Sequence, residues 1–304
     1  MLDPGLKFIA VVGPTATGKT ALSLQLGEAF GGEIVCADSR TLYRGMDIGT
    51  AKPTRTEQSR VAHHLIDVLD PGERLSAAAF KQLAEAAITD IAARGRLPLL
   101  VGGSGLYADA VLFNYQFPAE ADAQRRARLE AMTAAELLEL LAAEDPEAYG
   151  RVDLANRRRV VRAIETAGAS PRRRATSSPQ ALVLGSALNK EIVQKRITQR
   201  IDKMLEEGFI DEVRTLGETY GWNSSALDVI GYRAFKGYVL GTKSIEEAKA
   251  DFARGDMALY KKQVTWFKRN QAIHWVQTAH EAEGLVSDFL GTSGSPGLSA
   301  ILRA

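Results

Sequence analysis

KFIAVVGPTATGKT, at residues 7–20, joins an apolar run to a glycine-rich loop. The run is typical of a buried strand, and the residues from Lys19 onward favour a helix. Between them, the spacing GxxxxGKT predicts a phosphate-binding loop (P-loop), because its glycines let backbone N–H groups turn towards an anion at a helix N-terminus. Lys19 would supply charge to the terminal phosphate and Thr20 a hydroxyl ligand for Mg²⁺. The candidate cofactor-binding residues are Gly13, Pro14, Thr15, Ala16, Thr17, Gly18, Lys19 and Thr20.

Strand and helix patterns alternate beyond the P-loop. Strands are predicted at 7–12, 33–37, 97–101, 181–188 and 273–276, with a short extended piece at 65–69, and helices at 19–30, 76–94, 190–206 and 244–269. Such alternation predicts an α/β fold, a P-loop-type doubly wound parallel sheet whose ligand lies at the carboxyl ends of the strands. The pattern is interrupted by a polar helical segment, so the expected organisation is a catalytic core at 1–113 and 181–290, an inserted all-helical subdomain at 114–180, and a flexible Gly- and Ser-rich tail at 291–304.

Composition narrows the class of protein. The 304 residues are 45% hydrophobic and 25% charged, as in an ordinary soluble globular protein. No apolar run has the length of a membrane span, and nothing before the P-loop resembles a signal peptide, so no membrane partner and a cytoplasmic location are expected. The single cysteine, Cys36, cannot form an internal disulfide and is too isolated for a zinc site.

Charge is unevenly distributed on a chain whose net charge is only +1. Between Arg151 and Arg174, eight arginines face two acids, Asp153 and Glu165. A basic cluster of this kind fits a nucleic-acid contact, and it also fits a solvated helix face. Charge alone leaves both interpretations open.

Asp38 follows the second predicted strand directly. The carboxyl ends of parallel strands meet at one crevice, so this carboxylate should lie near whatever the P-loop binds. There it could coordinate Mg²⁺ or accept a proton from a nucleophile. The structural alternative is a helix N-cap formed by Asp38 or Ser39.

Seven stretches, in order from about residue 8 to 276, together resemble the tRNA dimethylallyltransferase (tRNA isopentenyltransferase) family. They read GPTATGKT, DSRTLYRGMDIGTAKPT, HHLIDVLDP, LPLLVGGSGLY, ANRRRVVRAIE, IGYRAFKGYVLG and KKQVTWFKRN. The resemblance implies a monomeric, Mg²⁺-dependent enzyme that moves the dimethylallyl group from dimethylallyl diphosphate to N6 of adenosine 37 in the anticodon stem-loop of tRNAs reading codons that begin with U. Diphosphate is released, and the P-loop leaves some ATP affinity open.

The resemblance also implies residue roles. Asp38 would be the general base, Ser104 would stand where the family usually has threonine near the diphosphate bridging oxygen, and Arg233 would contact the diphosphate from the far side. The target base must leave its stack to reach a buried pocket. The expected tRNA contacts are Asp38, Ser39, Arg40, Thr41, Ser104, Arg126, Arg158, Arg159, Val160, Val161, Arg162, Asp228, Val229, Ile230, Gly231, Tyr232 and Arg233.

Some positions depart from the family pattern. Asp228-Val229 stand where an arginine and a small residue are common, Ala234 where a Gln or Glu is common, and Met257-Ala258 where an Arg-Gln pair is common. Some tRNA contacts would then fall to other basic residues such as Arg254, Lys261 or Lys262. Trp266 and Phe267 could stack a base or belong to the core.

Competing functions make different demands on the sequence. A P-loop small-molecule kinase would turn over ATP and needs neither the DSRTLYRGMDIGTAKP stretch nor the arginine cluster. A non-catalytic nucleotide-dependent RNA-binding module would not need Asp38. An adenylate isopentenyltransferase would not need the basic helical insertion.

Overall fold

The computed structural model describes residues 2–3, 5–118, 122–169, 171–186, 189–224 and 227–291. Within these, six strands form one sheet in the order β3-β2-β4-β1-β5-β6, and every pairing is parallel. The strands are β1 Phe8–Val12, β2 Gly32–Cys36, β3 His63–His64, β4 Leu97–Gly102, β5 Ala181–Ser186 and β6 Ile273–Val276. The chain runs outward on one side of β1 and later on the other, so the predicted doubly wound parallel sheet is confirmed.

Helices occupy most of the remaining described chain. They are α1 Lys19–Ala29, α2 Arg55–Arg60, α3 Ala77–Ala93, α4 Gly105–Leu112, α5 Ala123–Ala131, α6 Ala134–Glu144, α7 Pro146–Arg151, α8 Arg157–Glu165, α9 Lys190–Glu206, α10 Phe209–Tyr220, α11 Ile230–Val239, α12 Ile245–Phe267 and α13 Ala279–Leu290. None of the described helices is long and apolar enough to cross a membrane.

Two compact units make up the chain. The larger contains the described residues of Met1–Asn114 and Ala175–Ala304, including the sheet, and the smaller is Tyr115–Arg174, which contains α5 to α8. Residues 175–180, placed in the insertion by sequence, belong to the larger unit: Ser178 N donates to Leu112 O (2.7 Å) and Phe8 N to Gln180 O (3.0 Å). Of the predicted tail, residues 292–304 lie outside the described part of the chain.

A hydrophobic cluster of the larger unit lies among α9 to α12. Val193, Ile197, Ile201 and Met204 are all buried, and their spacing of four, four and three residues puts them on one face of α9. The Phe209 ring lies edge-on to Tyr232, with centroids 5.3 Å apart. This packing holds α9, α11 and α12 beside the P-loop.

The extended piece predicted at 65–69 differs from the structure. The strand pairing with β2 is His63–His64, and Leu69 instead forms an isolated bridge with Tyr43. Leu65 and Asp67 have positive φ angles of 60° and 56°, which break the regular strand between these two pairings.

Candidate active site

The P-loop is held in shape by its own contacts and by β5. Gly13 has a φ of +146°, and a Cβ there would lie 2.7 Å from Ser186 O, so both conformation and space require glycine. Ser186 Oγ donates to Thr17 O (2.8 Å), and Lys19 Nζ donates back to Pro14 O (2.5 Å). These contacts fix the backbone conformation of the loop.

Asp38 and Ser104 come together at the ends of β2 and β4. Asp38 Oδ1 accepts a hydrogen bond from Arg40 N (2.9 Å). Ser104 Oγ accepts one from Ser39 N (2.9 Å) and donates to Ser39 Oγ (3.2 Å). Residues 38–54 form turns, and the next helix begins only at Arg55, so neither Asp38 nor Ser39 caps a helix.

One cavity of about 700 Å³ joins the P-loop to these strand ends. Lys19, Asp38 and Ser104 all line it. A further part of its wall is apolar and comes from α9, α11 and α12, with Met204, Ile230, Phe252 and Leu259 among the lining residues. Anion-binding, carboxylate and apolar surfaces thus face one space.

Arg200 on α9 lines the same cavity, and the sequence analysis did not identify it. Its Nη1 donates to Thr15 Oγ1 (3.1 Å) and its Nη2 to Asp256 Oδ2 (2.5 Å). The Asp256 side chain is only 7% exposed, and burial raises the pKa of its carboxyl, while the Arg200 charge opposes that rise. The pair fixes a guanidinium beside the P-loop.

Lys19 has an unusual pKa for a lysine. Burial lowers the pKa to about 8, the Asp38 carboxylate works in the opposite direction, and Arg200 lowers it further. A bound anion would reverse the shift, because it favours the charged ammonium. Lys19 and Arg200 are therefore two basic side chains beside the P-loop, an arrangement that suits an anion.

Gln263 on α12 connects the P-loop with the chain after β4. Its Oε1 accepts from Thr15 N (2.8 Å), and its Nε2 donates to Gly103 O (2.8 Å). Three residues on, Trp266 is half-buried against the same cavity, and its Nε1 donates to Asp109 Oδ2 (2.9 Å). Phe267 is buried in the core.

A carboxylate from α10 anchors the segment after Asp38. Glu212 accepts hydrogen bonds of 2.9 Å from the backbone N–H groups of Asp47, Ile48 and Gly49, and one of 2.6 Å from Tyr232 Oη. On the other side of this segment, the buried Lys52 Nζ donates to Asp47 and Asp67 at 2.5 Å each. The DSRTLYRGMDIGTAKP stretch is thereby pinned into one conformation along the cavity wall.

Arg233 does not line the cavity. Its side chain is 62% exposed and pairs with Asp228 at 2.7 Å, because α11 turns Tyr232, Ala234 and Phe235 into the core instead. Of the neighbouring predicted tRNA contacts, Val229, Ile230 and Gly231 line the cavity, whereas Tyr232 is buried in the core. The diphosphate role of Arg233 stays a prediction.

Within the smaller unit, the predicted tRNA contacts differ in accessibility. Arg158 and Arg159 are exposed, whereas Val160 and Val161 are buried in the core of this unit. Arg126 and Arg162 both contact the Glu165 carboxylate, at 3.3 and 3.4 Å. Arg126 is exposed as well, and Arg159 lies 3.6 Å from Asp153; Arg158 and Arg159, which do not contact the Glu165 carboxylate, are the better candidates for phosphate contacts.

The oxygen donors near the P-loop suit a hard divalent cation. No group of three or more His, Cys, Asp or Glu side chains is placed to hold a metal within the described residues. The exposed Thr20 hydroxyl and the Asp38 carboxylate line the cavity. This donor set fits Mg²⁺, which takes one or two protein oxygens together with water and phosphate oxygens.

Comparison with known proteins identifies the family. A family model described as "IPP transferase" matches residues 41–270. The chain is 44% identical to the tRNA dimethylallyltransferase of Roseiflexus sp. (strain RS-1) and 38% identical to that of Geobacillus thermodenitrificans, with 87% and 88% of this chain and 90% of each relative covered.

Two solved structures share the architecture. The tRNA isopentenylpyrophosphate transferase of Bacillus halodurans is 36% identical with a TM-score of 0.71, over 94% of this chain and 97% of that one. A eukaryotic dimethylallyltransferase acting on tRNA is 25% identical with a TM-score of 0.83, over 94% and 80%. The resemblance seen in the sequence is confirmed, and this chain belongs to the IPP transferase family of tRNA dimethylallyltransferases.

Proposed function

We propose that this chain transfers the dimethylallyl group of dimethylallyl diphosphate to N6 of adenosine 37 in tRNA and releases diphosphate. The observation that carries the proposal is the single cavity in which the P-loop, Asp38 and an apolar wall meet. Each surface suits one part of the reaction: the leaving group, the nucleophile and the five-carbon chain.

Diphosphate binding is assigned to the P-loop with Lys19 and Arg200. The backbone N–H groups of the loop and the two cations would bind the phosphates and stabilise the charge that grows as the C1–O bond breaks. Thr20 would hold Mg²⁺, whose charge would help to neutralise the leaving group. Met204, Phe252 and Leu259 offer the hydrocarbon chain an apolar surface.

Asp38 is assigned as the general base. The amino group of adenine is a poor nucleophile, because its lone pair is delocalised into the ring. Removal of the N6 proton as the C1–N6 bond forms avoids a costly cation, and a well-placed base contributes about 10²–10⁴-fold. The Arg40 N–H bond to Oδ1 restricts the Asp38 carboxylate to an orientation beside the P-loop.

tRNA would bind through shape and phosphate contacts, with adenosine 37 turned out of its stack into the cavity. Exposed arginines such as Arg158 and Arg159 would contact phosphates, and binding would weaken with salt.

Label transfer tests the proposal. Purified protein is incubated with Mg²⁺, an unmodified anticodon stem-loop and either ¹⁴C-dimethylallyl diphosphate or γ-³²P-ATP, and the stem-loop is digested to nucleosides. We expect ¹⁴C on the adenosine at position 37 and none on a stem-loop carrying guanosine there. Phosphate transfer from ATP to an acceptor, with no ¹⁴C product, would contradict the proposal and favour a P-loop kinase.

A further inference from the structure

The P-loop, which is proposed to bind diphosphate, and the proposed base Asp38 follow different strands of the sheet. The P-loop follows β1, Asp38 follows β2, and Ser104 follows β4. In the transfer, the diphosphate leaves C1 at one end of the forming C1–N6 bond, and the base takes the proton from N6 at the other end. The separation between these loops therefore controls the reaction. A misplacement of about 1 Å can cost about 10²-fold in rate.

Gln263 bridges the two sides directly. It lies 248 residues after Thr15 in the chain, yet one amide group accepts from Thr15 N and donates to Gly103 O, both at 2.8 Å. A Cβ at Gly103 would come within 2.7 Å of Gln263 Nε2, so glycine is needed for this approach. Both ends of the bridge are backbone groups, and their positions define the loops themselves.

From Gly103, the contacts lead through Ser104 and Ser39 to Asp38. Gly103 precedes Ser104, whose Oγ accepts from Ser39 N at 2.9 Å, and Ser39 follows Asp38. On the other side, Thr15 is also held by Arg200, at 3.1 Å between Nη1 and Oγ1. The Gln263 amide thus occupies the middle of a continuous path from the diphosphate site to Asp38.

We propose that Gln263 is a positioning residue that sets the separation between the P-loop and Asp38 and thereby directs the dimethylallyl group to adenine rather than to water. The inference rests on the proposed function. An amide suits this task because it offers one acceptor and one donor at fixed geometry.

The proposal concerns which nucleophile attacks C1 of the dimethylallyl group, N6 of adenine or water. In transfer, the C1–O bond breaks with its electron pair leaving on diphosphate, C1 bonds to N6, and the N6 proton passes to Asp38. When the base and the P-loop are misaligned, water attacks C1 instead, which gives dimethylallyl alcohol, diphosphate and a proton released to solvent. The ratio of alcohol to modified tRNA therefore reports the alignment.

Two substitutions test the bridge. Gln263→Leu removes both hydrogen bonds at similar size. Gln263→Glu keeps the size, but its carboxylate cannot donate to Gly103 O; once protonated, the carboxyl again supplies one acceptor and one donor. Gln194→Glu, at an exposed position on α9, is the matched control for the change of charge. Wild type run in parallel tests the proposed function itself.

At pH 8 we expect kcat for tRNA modification to fall about 10²-fold in both Gln263 variants, with KM for tRNA nearly unchanged and the alcohol fraction raised. As the pH falls from 8 to 5.5, the rate of Gln263→Glu relative to wild type should recover, while that of Gln263→Leu should not.

An alcohol fraction like that of wild type in Gln263→Glu at every pH, or a relative rate without recovery at low pH, would overturn the proposal. The rate of Gln263→Glu relative to wild type across this pH range tests the proposal even if Gln263→Leu fails to fold. Absence of label transfer by wild type would instead reject the proposed function.

Discussion

Replacing Arg200 alone should destabilise the protein more than replacing both members of its ion pair. Arg200 Nη2 lies 2.5 Å from Asp256 Oδ2, and the two side chains are 25% and 7% exposed. Arg200→Met leaves the Asp256 carboxylate buried without its counter-charge. Breaking such a pair on one side costs about 3–5 kcal/mol, and the partial exposure of the arginine favours about 3 kcal/mol here.

The double substitution Arg200→Met with Asp256→Asn removes both charges and should recover about 2 kcal/mol of that loss. The pH dependence has a definite sign. In Arg200→Met the buried Asp256 carboxyl keeps a raised pKa without opposition from arginine, so the folded state binds its proton more tightly than the unfolded state does. The destabilisation is then largest at pH 7 and shrinks as the pH falls towards 4.

Urea denaturation of wild type, both single variants and the double variant measures the free energy of unfolding of each protein at pH 7 and pH 4.5. Together the four proteins form a double-mutant cycle. A free energy of unfolding for Arg200→Met within about 1 kcal/mol of wild type at pH 7 would refute the reasoning, as would a double variant no more stable than that single variant.

Three further predictions follow from individual contacts. Because burial sets the pKa of Lys19 at about 8, the affinity for dimethylallyl diphosphate measured by calorimetry should fall as the pH rises from 7 to 9 in wild type and stay level in Lys19→Met; a level wild-type curve would count against it. Glu212→Gln leaves two of four hydrogen-bond donors without an acceptor and should cost at least about 2 kcal/mol in urea denaturation, whereas the exposed Glu218→Gln on the same helix should cost almost nothing; equal stabilities would contradict this. Arg158→Ala should reduce the slope of log affinity for tRNA against log salt by about one, and an unchanged slope would remove Arg158 from the phosphate contacts.

Local signals made most of the larger unit predictable. β1, β2 and β4 are short, mostly apolar runs with turns at their ends. Helix α12 begins at Ile245 after the N-cap Ser244, whose capping box with Glu247 is visible in the sequence. The alternation of these elements predicted the parallel sheet. The missed pairing around β3 has only two residues and depends on contacts across the sheet rather than on a local pattern.

The P-loop and Asp38 could be found because each follows a predicted strand, and Ser104 was identified by the resemblance of GGSGLY to the family. Arg200 and Gln263 reach the cavity from helices far along the chain, and only tertiary packing brings them to Thr15. A signal did exist on α12: Asp256 and Gln263 fall on the same helical face as the buried Phe252 and Phe267, and polar residues within an apolar stripe indicate a functional or paired position. Arg233 was identified only by the resemblance of the IGYR stretch to the family, and in the structure α11 turns its side chain to solvent.

The most direct test of the central claim is the single-turnover rate of Asp38→Asn on bound dimethylallyl diphosphate and tRNA. This substitution keeps the size of the side chain and removes the proton acceptor. We predict a rate of transfer lower by about 10²–10⁴-fold, with the dissociation constants of both substrates nearly unchanged. A transfer rate within a few-fold of wild type would contradict the assignment of Asp38 as the base and, with it, the account of how this cavity works.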